Sequence, residues 1–272
     1  MADRAREREA TLLAGLGLLL LLALMPWVFR MRPEGFLPFL RLSSWRFLGL
    51  GLAMTLGVSA TALVGSLPAA LGLALARRMG PAWLRLPATL AIEGIRAVPL
   101  IGLVFLMFLR LGSVGRSLKL EALGAPALAL TVALLLYTAA VNAETLRAAM
   151  NALPAGQWEA GRALGLSTPR LLGLVILPQA LRLALPNLVA QLATLVKDSS
   201  LGGIIGVLEL YRRGVILYQG SRNPLETLYV VALIYLAVNA ALVAGRSGWG
   251  GGWRGESRTF GQAVGLCYLV AV

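Results

Sequence analysis

The feature that most restricts this chain is a succession of apolar runs, each long enough to cross a lipid bilayer and parted by basic gaps. A bilayer core is about 30 Å thick, so a spanning helix needs roughly 20 apolar residues. Runs of that scale lie at Thr11–Phe29, Phe47–Ala76, Leu84–Leu109, Ala127–Met150, Arg170–Leu195 and Leu225–Ala244. The expected fold is all-α, a polytopic membrane helix bundle with about six transmembrane helices.

Composition agrees. Of 272 residues, 58% are hydrophobic and 14% charged, where a soluble domain has about half and about a quarter. The net charge of +13 is almost wholly arginine, Lys119 and Lys197 being the only lysines. A nucleic-acid binder would need a solvated basic face with interleaved aromatics. These arginines fall between apolar runs, where they meet headgroups. Membrane lipid is therefore an expected partner and nucleic acid is not.

The single cysteine, Cys267, and the absence of histidine rule out a disulfide within the chain and argue against zinc. Catalysis would require a buried Lys, Glu or Asp, and these form no recognisable triad. No phosphate-cradling GxxxxGK[ST] is present either. Neither enzymatic chemistry nor a metal or other cofactor is expected.

The runs carry polar residues at informative places. Arg4, Arg6 and Arg8 precede the first run, as in a signal peptide. The run is longer than such a segment and lacks a small-x-small cleavage site, which favours an uncleaved span. Gly51, Thr55 and Ser59 share one face, suited to close helix approach or a chance product of small-residue abundance. Glu93 and Arg96 could form a plain i,i+3 ion pair or face protein or water at membrane depth. Pro99 either kinks that helix or begins a new one. Asn142, Glu144 and Arg147, near the end of the fourth run, could meet headgroups or an internal cavity. Pro178 and Pro186 interrupt the fifth run, as a helix bundle can tolerate. Lys/Arg are divided too evenly among the gaps to orient the chain.

One stretch, "GQWEAGRALGLSTPRLLGLVILPQAL" from Gly156 to Leu181, breaks the apolar pattern. Ala155 to Leu164 suit a short helix, Gly165 a left-handed C-cap, and Thr168–Pro169 the cap and first turn of the next helix. Such a helix is too polar to span and too brief to stand alone. It must dock on something, either headgroups or another protein.

Glu159, Ala160 and Gly165, closed by Leu177–Pro178, resemble the signature loop of permease subunits of binding-protein-dependent ABC importers. Gly161 replaces a second alanine of that pattern and Val175 an isoleucine. "GLAMTL" at Gly51–Leu56, "IRAVPLIGL" at Ile95–Leu103, "LPQALRLALPNL" at Leu177–Leu188 and "KDSSLGGIIGVLEL" at Lys197–Leu210 are similar to the polar amino-acid branch.

The resemblance implies a type I ABC importer permease domain over residues 47–244, with a coupling loop at 151–170. It implies ATP-binding cassette ATPase subunits, a second permease subunit (identical or a sister chain), a periplasmic solute-binding protein and an amino-acid substrate. The chain would lie in a bacterial inner membrane and leave ATP hydrolysis to its partner. Gln157, Glu159, Ala160, Gly161 and Gly165 would couple to the ATPase, with Ala160 and Gly161 allowing close approach.

Arg96, Asn142, Glu144, Gln191, Lys197 and Asp198 are the polar candidates for the substrate pathway, since a zwitterion needs both cationic and anionic or carbonyl partners. Residues 1–46 would add an extra span. Residues 245–272 form an atypical tail, expected to be disordered and explicable by a shifted reading frame. The competing readings are an ion-driven secondary transporter, whose internal repeat is not found, and a membrane scaffold subunit.

Overall fold

The structure is a computed structural model and describes residues 17, 20, 22–117, 119 and 125–247. Nine of the 19 residues of the first apolar run (11–16, 18, 19 and 21) and the tail from residue 248 lie outside the described residues.

Five helices among the described residues are long and apolar enough to cross a membrane: Leu42–Met79, Leu100–Ser117, Pro126–Ala152, Thr168–Ile205 and Pro224–Leu242. The first is α1, Leu42–Met79, whose 38 residues extend about 57 Å. Arg77 and Arg78 sit in its last turn, where cations complement the helix dipole.

The run expected to form one span over Leu84–Leu109 is two helices, α2 (Ala82–Ala97) and α3 (Leu100–Ser117). Val98 between them is extended, with φ −79° and ψ 133°, because the residue before a proline is pushed out of the helical region. Pro99 thus begins a new helix.

Next comes α4, Pro126–Ala152, with Pro126 opening its first turn. Half of its most apolar stretch is buried, against a third or less in the other spans, so it is the central helix of its unit. Ala129, Ala133, Ala140 and Ala143 are fully or almost fully buried, and small side chains let neighbouring helices come close.

The short helix α5 is Ala155–Ala163. After it, α6 (Thr168–Leu171), a π-helical turn (Leu172–Ile176) and α7 (Leu177–Asp198) run on as one rod. The π turn has a local cause. Pro178 has no N–H to donate and its ring would crowd the carbonyl one turn back. The chain widens instead, and the Leu177 N–H reaches the Leu172 carbonyl five residues earlier. A 3₁₀ segment, Ser199–Ile205, leads to Gly206, whose φ of +90° makes the bend. Then follow α8, Leu210–Ser221, and α9, Pro224–Ser247.

The chain divides into two compact units, residues 48–213 and residues 1–47 with 214–272. In the first, two apolar clusters stack along α4. One joins Ala70, Ala74, Ile92, Leu146, Met150, Leu171, Ile176 and Ala180. The other joins Val58, Ala62, Val104, Leu130, Leu134 and Leu195. Within this unit the Gly51–Thr55–Ser59 face serves close approach. A Cβ on Gly51 would lie 2.9 Å from the Leu210 Cα, and the Leu210 N–H donates to Thr55 Oγ1 at 3.2 Å.

In the second unit, a 3₁₀ helix at Pro33–Leu40 is pinned to α9. The Arg32 N–H donates to Glu226 Oε1 at 2.7 Å, Asn223 Nδ2 donates to the Gly35 carbonyl, and the Tyr229 hydroxyl donates to the Leu22 carbonyl at 2.9 Å.

Candidate functional site

The geometry of α5 follows from its two ends. Leu153, ahead of Pro154, is extended, so the chain leaves α4 and restarts as a separate helix. At the far end the Leu166 N–H donates to the Gly161 carbonyl and the Gly165 N–H to the Arg162 carbonyl. These are the paired bonds of a Schellman stop. Gly165 supplies the required left-handed residue, with φ +73°. The next helix begins one residue earlier than expected. Ser167 holds the cap position and Thr168 is already helical, and neither caps through its side chain.

Three contacts seat α5. Gly161 is buried, and a Cβ there would collide with Leu171 of α6. Gln179 Nε2 of α7 donates to Gln157 Oε1 at 3.1 Å and to the Val175 carbonyl of the π turn at 2.9 Å. The Arg78 guanidinium of α1 lies 5.0 Å from the Trp158 ring, within cation–π range. Gly161, expected to allow close approach of a partner, therefore faces inward, and the close approach is to its own chain. Gln157, Glu159, Ala160, Arg162 and Gly165 are exposed.

Beside α5 a charged network links three helices. Arg77 of α1 is 3.0 Å from Glu144 of α4 and 2.9 Å from Glu93 of α2. Arg96 approaches Glu93 at 3.8 Å, and Arg147 forks onto both oxygens of Glu144. The Glu93–Arg96 pair that the sequence offered thus forms, and Glu144–Arg147 adds a second i,i+3 pair that it did not. Arg77, which joins them, carried no sequence signal beyond its place at a helix end.

The other candidates are placed separately. Asn142 is buried and donates to Ser66 Oγ at 3.3 Å. One turn away, the buried Thr138 Oγ1 has no hydrogen-bond partner among the described residues. Gln191, Lys197 and Asp198 lie half-buried along the last turns of α7. Sequence reasoning passed over Glu209, which is fully buried. Its carboxylate accepts from the Tyr211 and Arg212 N–H groups at 2.7 and 2.6 Å, capping α8. An acid directly ahead of a helix start was the available signal.

Residues 66–245 match the family described as binding-protein-dependent transport system inner membrane component. The chain belongs to this family.

The permease is 34% identical over 211 residues to the glutamate transport system permease protein GluD of Corynebacterium glutamicum, covering 76% of this chain and 75% of that one. It is 35% identical over 192 residues to the glutamine transport system permease protein GlnP of Escherichia coli, covering 71% and 86%. Among solved structures it resembles the crystal structure of an amino acid ABC transporter with histidines, with TM-score 0.68, 27% identity, and 78% and 95% of the two chains covered.

The fold is that of a type I ABC importer permease. The permease is a multi-pass protein of a bacterial inner membrane, and its family works with an ATPase and a solute-binding protein. The resemblance read from Glu159, Ala160, Gly165 and Leu177–Pro178 named the same family.

Proposed function

We propose that this permease forms the translocation pathway for a polar amino acid, that α5 is its coupling helix, and that ATP is hydrolysed in separate subunits gripping α5 from the cytoplasm. A second permease subunit, identical or a sister, completes the pathway, and a periplasmic binding protein delivers the substrate. The observation that carries this reading is the seating of α5. Gly161, Gln157 and Trp158 fix it on Leu171, Gln179 and Arg78, while Glu159, Ala160 and Arg162, together with Gln157 itself, stay exposed. A polar helix held rigidly on membrane helices with an open outer face can pass a rigid-body push into α4 and α7. The glutamate and glutamine named for the relatives support the substrate class.

For the pathway, Arg96 and Glu144 belong to a network bearing both signs of charge, as an amino-acid zwitterion requires. Asn142 stands one turn from the Thr138 hydroxyl, which has no hydrogen-bond partner among the described residues. Gln191, Lys197 and Asp198 supply polar groups on α7.

The test is co-purification with the ATPase encoded for the same importer. Cysteines at Gln157 or Glu159 should crosslink to it, and Glu159→Arg should abolish amino-acid-stimulated ATP hydrolysis while leaving membrane insertion intact. Normal uptake by Glu159→Arg would remove the docking role.

A further inference from the structure

Where α1 and α4 end and α5 begins, the chain forms a concave site of about 600 Å³ lined by Arg77, Arg78, Arg147, Asn151, Trp158 and Arg162. Met79 completes the lining; four of the seven side chains are guanidiniums, and none is a carboxylate. Behind it, Glu144 engages Arg77 and Arg147, and Glu93 engages Arg77. Arg78 and Arg162 make no ion pair with the described residues. Four arginines against two carboxylates leave a surplus of positive charge.

Guanidiniums repel one another, and a concave surface concentrates their field, so the arrangement favours an anion. Arginine's planar fork matches phosphate oxygens two at a time. Asn151 adds an amide donor at the same rim. Trp158, already faced by Arg78, gives one wall an amphipathic ring of the kind that settles at headgroup level. Two spanning helices finish here, at Met79 and Ala152.

We propose that this pocket is a phosphate-binding site, taking the phosphate of an anionic phospholipid headgroup or of a soluble phosphate compound. A bound phosphate bridges the ends of α1 and α4 to Arg162 of α5 and so holds the short helix in place. The site does not depend on α5 being an ATPase-docking element, and its occupancy is read without any transport measurement.

The experiment uses the purified full-length permease in detergent after lipid removal. Native mass spectrometry compares retention of phosphatidylglycerol with phosphatidylcholine. A separate arm titrates pyrophosphate and follows the thermal midpoint. We expect phosphatidylglycerol to be retained at least about tenfold more than phosphatidylcholine, and Arg78→Gln/Arg162→Gln to remove that preference. A midpoint rise with pyrophosphate, lost in the same variant, together with no lipid preference, would assign the site to soluble phosphate. Arg162→Gln alone, an exposed change on α5, should weaken binding several-fold and covers the case in which the double variant does not fold. Arg170→Gln, outside the pocket, should bind as wild type. Phosphatidylglycerol and pyrophosphate binding that are both absent, or both unchanged in the variants, would overturn the proposal.

Discussion

Arg77 of α1 reaches Glu144 of α4 at 3.0 Å across 67 residues of chain, and the same guanidinium lies 2.9 Å from Glu93 of α2. One arginine thus ties together the ends of three helices. Both Arg77 and Glu144 are partly shielded, with side chains 20% and 26% exposed, so the pair is screened less than a surface ion pair.

A double-mutant cycle should detect that coupling. Arg77→Gln and Glu144→Gln should each lower the thermal midpoint of the purified permease, and together they should cost less than their sum. We expect a coupling energy on the order of 1 kcal/mol. Strict additivity would show that the two side chains do not act on each other in the membrane.

Gly161 should accept a side chain only where Leu171 shifts, because a Cβ there would occupy the space of the Leu171 side chain. Gly161→Ala should cost about 1–3 kcal/mol through overpacking and should lower uptake by displacing α5. Leu171→Ala, harmful alone, should be less harmful in the Gly161→Ala background. Stability and uptake of the four proteins measure this, and an uptake of Gly161→Ala equal to wild type would contradict it.

Gly165 fails for a different reason. Nothing lies within 4 Å of a Cβ there, so space is not the constraint; the positive φ is. Gly165→Val should cost roughly 1–2 kcal/mol of backbone strain. Gly165→Asn should cost much less, since asparagine visits the left-handed region readily. Equal effects of the two on the thermal midpoint would point to a contact instead of strain.

Glu209→Ala should strip the caps from the Tyr211 and Arg212 N–H groups and destabilise the permease by about 1–2 kcal/mol. Glu209→Gln keeps one acceptor oxygen and should lie between. Hydrogen exchange at the start of α8 should rise in that order, and unchanged protection in Glu209→Ala would deny the cap.

Thr138→Val replaces a buried hydroxyl that has no partner among the described residues with a methyl of similar shape. The thermal midpoint should hold or rise, because an unsatisfied polar group carries only its desolvation cost. A fall of several degrees, or lost uptake with stability intact, would mean that the hydroxyl serves a bound water or substrate.

The sequence by itself determined the class of the fold, since the number of consecutive apolar residues is a local property and a bilayer reads it directly. It also determined the punctuation around α5, because proline ahead of a helix and glycine behind it act through their own backbone dihedrals. The motif Glu159–Ala160–Gly165 with Leu177–Pro178 was enough to name the family. Tertiary structure decided what each side chain faces. That Gly161 turns inward onto Leu171, that Arg77 bridges Glu93 and Glu144, and that Asn142 is sealed against Ser66 all depend on which helices lie side by side. Packing and charge pairing act through space, and no spacing along the chain reports a partner 67 residues away.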